Sequence, residues 1–235
     1  MTQSAIVTGA NRGIGFAIVN ELLMAETHDV LAIVRDASTA NALRERFSSF
    51  YSDRKLTIKT ADLANHREVK ILCTEIRMLK NCSVLINNAG VFSFGTLNIE
   101  QLDFTSMLYV NFTTPVLLTE AVVDNMKERQ AGNIINIGSS AGRKGLSGVG
   151  LYGATKHALT GFSESLMKEL ISSNIKVTTI NPAFVDTDMT RNFVGMQGKL
   201  KIHVEDIVNS IRLILSLSEG AVIPHIDIEC ASVVK

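Results

Sequence analysis

The chain has 235 residues, 46% of them hydrophobic and 20% charged, with only 3 prolines. That composition builds a sizeable core and excludes a disordered or collagen-like chain. Its 23 Lys and Arg balance 23 Asp and Glu, and zero net charge argues against a protein that tracks nucleic-acid phosphates.

Short β-branched runs alternate with longer helical patterns. Residues 5–7 read as a strand, 14–24 as a helix, and 30–34 as a second strand. A helix over 39–50, a strand over 56–60 and a helix over 67–79 follow. After a short buried strand at 84–86 comes a long helical stretch, 102–127, interrupted or bent near Pro115. Strands at 133–137 and 176–180 flank a helix over 152–171, whose apolar residues Ala158, Leu159, Phe162, Leu166 and Leu170 keep helical spacing. Val204, Ile207, Val208, Ile211 and Leu215 mark a last helix, and 221–228 a last strand. Seven strands with helices between them imply an α/β fold, a doubly wound Rossmann-type parallel sheet with helices on both faces. Nothing reads as a linker or repeat, so residues 1–235 are expected to form a single domain. In such sheets ligands sit beyond the C-terminal strand ends, so the residues just after each strand matter most.

No stretch reads as long and apolar enough to span a bilayer. No basic segment precedes an apolar one at the N-terminus. The three cysteines, Cys73, Cys82 and Cys230, are scattered without a CxxC, and the five histidines lack metal-ligand spacing. The expectation is a cytoplasmic protein with reduced thiols and no metal.

The first strand runs into Thr8-Gly9-Ala10-Asn11-Arg12-Gly13-Ile14-Gly15 and then a helix. Glycines let a backbone approach a pyrophosphate, and a helix N-terminus supplies free N–H groups and a positive dipole end. The spacing is GxxxGxG rather than GxGxxG. Alone it leaves open an ordinary Gly-rich turn. Asn87-Asn88-Ala89-Gly90 follows the fourth strand, and Tyr152-Gly153-Ala154-Thr155-Lys156 opens the helix after the fifth. Together and in this order the three motifs resemble those of the short-chain dehydrogenase/reductase family, over essentially the whole chain.

The resemblance implies a nicotinamide cofactor. Gly9, Asn11, Arg12, Gly13, Ile14 and Gly15 would form its phosphate loop. Asn88, Ala89 and Gly90 would lie beside it. Asp62-Leu63 would meet the adenine, with a helix N-cap as the competing role for Asp62. Pro182, Val185 and Thr187 would bind the nicotinamide carboxamide, in a segment where Ala183 replaces the family's usual Gly. NAD enzymes commonly carry an acidic residue at the end of the second strand, and NADP enzymes a nearby cation. Here Val34 takes the acidic position, Arg35 follows, and Arg12 is a second cation, so NADP(H) is expected. Asp36 is the counter-evidence, one residue further on, and both arginines also read as solvated surface charges.

For catalysis, Tyr152 and Lys156 stand at i and i+4 on one helical face. Ser139 lies thirteen residues before Tyr152, which matches the family's catalytic Ser; Ser140 is adjacent. Asn111 matches the family's Asn, which holds a water near the Lys. A Tyr at pKa ~10 is a poor acid near neutrality, and a Lys⁺ beside it lowers that value. The implied reaction is NADPH-dependent reduction of a ketone, aldehyde or dione, or its reverse, with Tyr152 as proton donor. A non-catalytic NADP-binding sensor or scaffold is the alternative.

Residues 188–202, with Met189, Phe193, Val194, Met196 and Leu200, are expected to form a substrate lid, or else a short surface helix. Phe92, Phe94, Leu146, Val149 and Leu151 are candidate pocket walls, or core. The ending Pro224-His225-Ile226-Asp227-Ile228-Glu229 departs from the family's Asp-Gly-Gly. A homodimer or homotetramer is expected, through the two long helices, with no nucleic acid or membrane as partner.

Overall fold

The computed structural model describes residues 3–53, 55–97, 103–191 and 200–232. β1 (Ser4–Thr8), β4 (Cys82–Asn87) and β6 (Ile175–Pro182) are buried along their whole length, as strands covered on both faces must be. With β2 (Asp29–Val34), β3 (Leu56–Thr60), β5 (Gly132–Ile137) and β7 (His225–Ile228) they form one parallel sheet, ordered β3-β2-β1-β4-β5-β6-β7. The expected seven-stranded doubly wound sheet is therefore present. The chain winds outward from β1 to β3 and then returns to β4, so the strand order reverses between β1 and β4. The crevice beyond their C-terminal ends is where such sheets bind ligands.

Two apolar cores sandwich the sheet. On one face Ile18 and Leu22 of α1 (Gly13–Met24), Leu43 of α2 (Ala37–Arg46) and Ile207 and Ile211 of α8 (Val204–Ser216) pack onto Val7, Ala32 and Ile86. On the other, Val69 and Leu72 of α4 (His66–Arg77), Leu118 and Val122 of α6 (Thr114–Arg129) and Leu170 of α7 (Gly150–Leu170) cover Ile6, Leu85 and Ile134.

The expected helix over 39–50 divides into α2 and α3 (Ser48–Ser52) at Phe47, whose φ of −119° and ψ of 39° are not helical. Its buried ring stacks on Phe16 with centroids 5.1 Å apart, and that packing prevails over helix continuation. The long helix is also interrupted, but ahead of Pro115. α5 (Phe104–Leu108) passes into a π turn at Tyr109–Thr113 and then into α6. Pro115 sits in the first turn of α6, where its missing N–H costs nothing. Residue 102 lies outside the described residues. The joined run Phe104–Arg129 is, contrary to expectation, long and apolar enough to cross a membrane. It packs on α4 and β4, and 56% of its most apolar window is buried, as for a core helix. β7 is shorter than the expected 221–228 strand: Pro224 has no N–H for the ladder, and Thr178 Oγ1 donates instead to the Ile223 carbonyl at 2.7 Å.

A buried polar line crosses this interior. Asn87 and Asn136 are register partners on β4 and β5. Asn87 Nδ2 donates to Asn136 Oδ1 at 2.8 Å, Asn136 Nδ2 to Ser163 Oγ of α7 at 2.8 Å, and Ser163 Oγ to the Leu159 carbonyl at 2.6 Å.

Candidate active site

The glycine loop turns through left-handed backbone at Gly9 (φ +64°) and Gly13 (φ +52°), which residues with a Cβ adopt at a cost. α1 starts at Gly13 with no side-chain cap and no acidic residue in its first turn. Its first N–H groups and positive dipole end are therefore available to an anion. Gly15 answers a different need: a Cβ there would lie 2.2 Å from the Gly9 carbonyl oxygen and 2.5 Å from Asn88 Nδ2. The loop is stitched to the turn after β4. Thr8 Oγ1 accepts from the N–H groups of Asn88 and Ala89, both at 3.0 Å, and Asn88 Nδ2 donates to the Thr8 carbonyl at 2.8 Å. Gly15→Ala is expected to lower stability by about 1–3 kcal/mol through overpacking and to weaken dinucleotide binding. A thermal melt and a binding titration check this; an unshifted melt with wild-type affinity would show that the loop yields freely.

At the end of β2, Val34 is buried and Arg35 is exposed. Asp36 is the N-cap of α2. Its carboxylate accepts from Thr39 N at 3.0 Å, Ser38 Oγ at 2.8 Å and Thr39 Oγ1 at 3.1 Å. These bonds, the Thr39 N–H first, hold it well below the usual carboxylate range. The sequence carried this signal, an Asp three residues ahead of Thr39. Arg12 and Arg35 both line the cleft. Their ion pairs, Arg12–Asp188 at 3.5 Å and Arg35–Asp36 at 3.4 Å, are exposed and weak enough to exchange. Asp62 and Leu63 also line the cleft. The N-cap reading of Asp62 is corrected: Asn65 caps α4, while Asp62 Oδ1 accepts from Ala64 N at 3.0 Å within its own turn.

α7 carries Tyr152 and Lys156 one turn apart, with the Lys156 ammonium 5.9 Å from the Tyr152 ring centroid. Ser139, just beyond β5, lines the same cleft as Tyr152, and its Oγ accepts from Ala141 N at 3.2 Å. Burial raises the Tyr152 pKa, and the neighbouring Ser139 opposes the rise. Lys156 donates to the Ile137 carbonyl at 2.9 Å, and burial pushes its pKa down to about 8. Asn111 stands behind the cleft wall, in the π turn, and is 1% exposed. Its Oδ1 accepts from Val91 N at 2.9 Å, and its Nδ2 donates to the Val91 carbonyl at 2.9 Å and Thr155 Oγ1 at 3.1 Å. Gly90 fits between it and the lysine: a Cβ there would sit 3.4 Å from Asn111 Oδ1 and 3.6 Å from Lys156 Nζ.

Most of these groups border one cleft of about 720 Å³. Of the expected site residues, only Gly15 and Asn111 do not line it; Gly9, Asn11, Gly13, Ile14, Asn88, Ala89, Gly90, Pro182, Val185 and Thr187 do. Ala183 fits without left-handed backbone and donates its N–H to the Ile228 carbonyl at 2.8 Å. Phe92, Leu146 and Val149 form part of the wall, whereas Phe94 and Leu151 do not. Phe184, missed in the sequence, lines the cleft just after β6, where an aromatic residue following a strand end was the available signal. Of the expected lid, Met189 lines the cleft and Leu200 is exposed. Phe193, Val194, Gly195, Met196 and Gly198 lie outside the described residues.

A crevice of dinucleotide-binding type with a Ser, a Tyr and a Lys gathered at one end points to the oxidoreductase class. A family model described as short chain dehydrogenase matches residues 3–198. The chain is 35% identical over 192 residues to carbonyl reductase family member 4 of Xenopus tropicalis, covering 81% of this chain and 78% of the relative. It is 31% identical over 194 residues to 3-oxoacyl-acyl-carrier-protein reductase of Homo sapiens, covering 82% and 79%. Among solved structures it is similar to the short-chain dehydrogenase from Sphingobium yanoikuyae in complex with NADPH. There the TM-score is 0.82 at 26% identity, over 99% of this chain and 89% of the other. The chain belongs to the short-chain dehydrogenase family.

Proposed function

We propose that this protein is an NADPH-dependent reductase of a ketone, aldehyde or dione, able to run in reverse as an alcohol dehydrogenase. The observation that carries the reading is the gathering of Ser139, Tyr152 and Lys156 in one cleft with the glycine cradle, the Lys156 ammonium 5.9 Å from the Tyr152 ring centroid. The residues present fit the cofactor. The uncapped start of α1 and the turns at Gly9 and Gly13 would receive the pyrophosphate. Arg12 and Arg35 would meet the ribose phosphate, where Asp36, the carboxylate at β2's end, is committed to capping α2. Asp62 and Leu63 would lie at the adenine, Asn88 to Gly90 beneath the cofactor, and Pro182, Val185 and Thr187 at the carboxamide. The NADPH complex of the Sphingobium relative supports this choice of cofactor.

NADPH supplies the hydride that the carbonyl carbon gains. Tyr152 gives its hydroxyl proton to the carbonyl oxygen, while Ser139 hydrogen-bonds that oxygen as negative charge develops. Lys156, poised near pKa 8, helps hold the tyrosinate and passes a proton back to it. Asn111 has its side-chain amide bonded to Val91 and Thr155. A sensor or scaffold has no use for a buried ammonium beside a tyrosine. The reading includes a homodimer or homotetramer built through α6 and α7, and a cytoplasmic setting for the buried free thiols of Cys73, Cys82 and Cys230.

A thermal-shift comparison tests the cofactor. A ligand at a hundred times its Kd adds about 2.7 kcal/mol, or roughly 5–10 °C for a chain of this size. NADPH and NADP⁺ are expected to give that shift at concentrations where NADH and NAD⁺ give little. Arg35→Asp should cut the preference for NADPH about tenfold or more. Equal shifts from NADH would place Asp36, rather than Arg35, at the ribose. NADPH oxidation on adding a carbonyl compound tests the reaction itself.

A further inference from the structure

We infer that the substrate is an uncharged carbonyl compound bearing an aromatic group beside the carbonyl, and that Phe92 is the residue that selects it. This rests on the reductase reading above and deepens it.

Phe92 lines the cleft, and its ring meets the Tyr152 ring edge to face, with centroids 4.9 Å apart and planes at 73°. Phe94 extends the row, 4.9 Å from Phe92 at 84°, and is 58% exposed. Leu146, Val149, Phe184 and Met189 add apolar wall. An aromatic substrate group gains from such rings a geometry-specific attraction that an alkyl group does not.

The loop that carries these rings is tied down at both ends. Val91 is held on both its N–H and its carbonyl by Asn111. Further along, Gly95 N donates to the Gly148 carbonyl at 2.7 Å, Leu151 N to the Gly95 carbonyl at 3.3 Å, and Gly150 N to Thr96 Oγ1 at 3.2 Å. The wall is thereby fixed to α7, the helix that carries Tyr152. A preformed apolar surface takes its ligand without a large ordering cost.

Charge points the same way. Among the described residues, the charged groups lining the cleft are Arg12, Arg35, Asp62, Lys156 and Asp188. The first three stand at the glycine loop and the ends of β2 and β3, and Asp188 is paired with Arg12 and Arg191. Lys156 is bonded to the Ile137 carbonyl. Beyond Ser139, Arg143 pairs with Glu164 and Asp227, and Lys144 with Glu229. Among the described residues Lys156 is the one cation at this end of the cleft, so a carboxylate beside the carbonyl would lose its hydration at the Phe92 wall and compete with the tyrosinate for a single ammonium.

The test follows NADPH oxidation with three compounds: methyl phenyl diketone, methyl propyl diketone and benzoylformate, the last an aryl ketone with a carboxylate. In the wild-type enzyme kcat/KM for the phenyl diketone should exceed that for benzoylformate about a hundredfold, and that for the propyl diketone about tenfold. Phe92→Leu keeps an apolar side chain but removes the ring. It should cut the phenyl-to-propyl ratio about tenfold, mainly through KM. An undiminished NADPH-induced thermal shift in the variant shows that it is folded. A preference for benzoylformate, or a Phe92→Leu variant whose phenyl-to-propyl ratio is unchanged, overturns the inference. So does a wild-type enzyme that reduces other carbonyls but none of these three. Failure to reduce any carbonyl while binding NADPH overturns the reductase reading as well.

Discussion

Tyr152→Phe is expected to lower kcat with any carbonyl substrate by a hundredfold to ten-thousandfold, the usual worth of a positioned general acid. The substitution removes one oxygen. It leaves the ring to meet Phe92 and is close to volume-conserving, so it costs the fold less than about 1.5 kcal/mol. The variant should therefore melt close to the wild type and keep its NADPH-induced thermal shift. Steady-state kinetics and the melt together decide the matter. A variant within tenfold of wild-type kcat would remove Tyr152 from the chemistry, and a variant that no longer binds NADPH would make its role structural.

Lys156→Met is expected to abolish turnover and yet stabilise the cofactor-free protein near neutral pH. Burial lowers the Lys156 pKa from its ordinary 10.5 to about 8, a difference worth about 3 kcal/mol. Below pH 8 the ammonium is charged in both folded and unfolded chains, and the folded state bears the whole desolvation penalty. From pH 8 to 10.5 the unfolded chain holds its proton while the folded chain releases it, so stability rises with pH. Tyr152, whose pKa burial raises above 10, acts in the opposite direction, but only above about pH 10. The wild-type melting temperature should therefore climb between pH 8 and 10, and the Lys156→Met curve should lack that climb. The gain near pH 7 is smaller than 3 kcal/mol by the lost bond to the Ile137 carbonyl, about 1 kcal/mol. Identical pH profiles for the two proteins would show that Lys156 carries no such penalty.

The sheet was legible in the sequence because its strands are short β-branched runs buried on both faces, such as Val30 to Val34. The glycine loop was legible because the turns at Gly9 and Gly13 and the close approach at Gly15 each leave a residue signature. Tertiary packing decided what local pattern did not. Phe47 breaks a helix because its ring is needed against Phe16. The irregularity in the long helix belongs to a π turn around Asn111 rather than to Pro115, and hydrophobic spacing does not distinguish one extra residue in a turn. Asp62 and Asn65 are both good capping residues three positions apart, and only the observed hydrogen bonds choose Asn65. Asn111 was singled out by resemblance, but its grip on Val91 depends on residues twenty positions apart. No local pattern reports that contact.

The polar line from Asn87 through Asn136 to Ser163 sets the depth of α7. A helix lying on an apolar sheet can slide along its axis or roll at little cost, because greasy contacts are exchangeable. An amide chain in that interface is not exchangeable. Any slip would strand Asn136 without its partner, at about 1–3 kcal/mol for each buried polar group left unsatisfied. The line acts as an indexing pin. Because Asn87 also begins the turn stitched to the glycine loop, the helix bearing Tyr152 and Lys156 is gauged from the same strand that locates the cofactor cradle. Thermal agitation can loosen the surface of α7 without altering the spacing between proton donor and cradle.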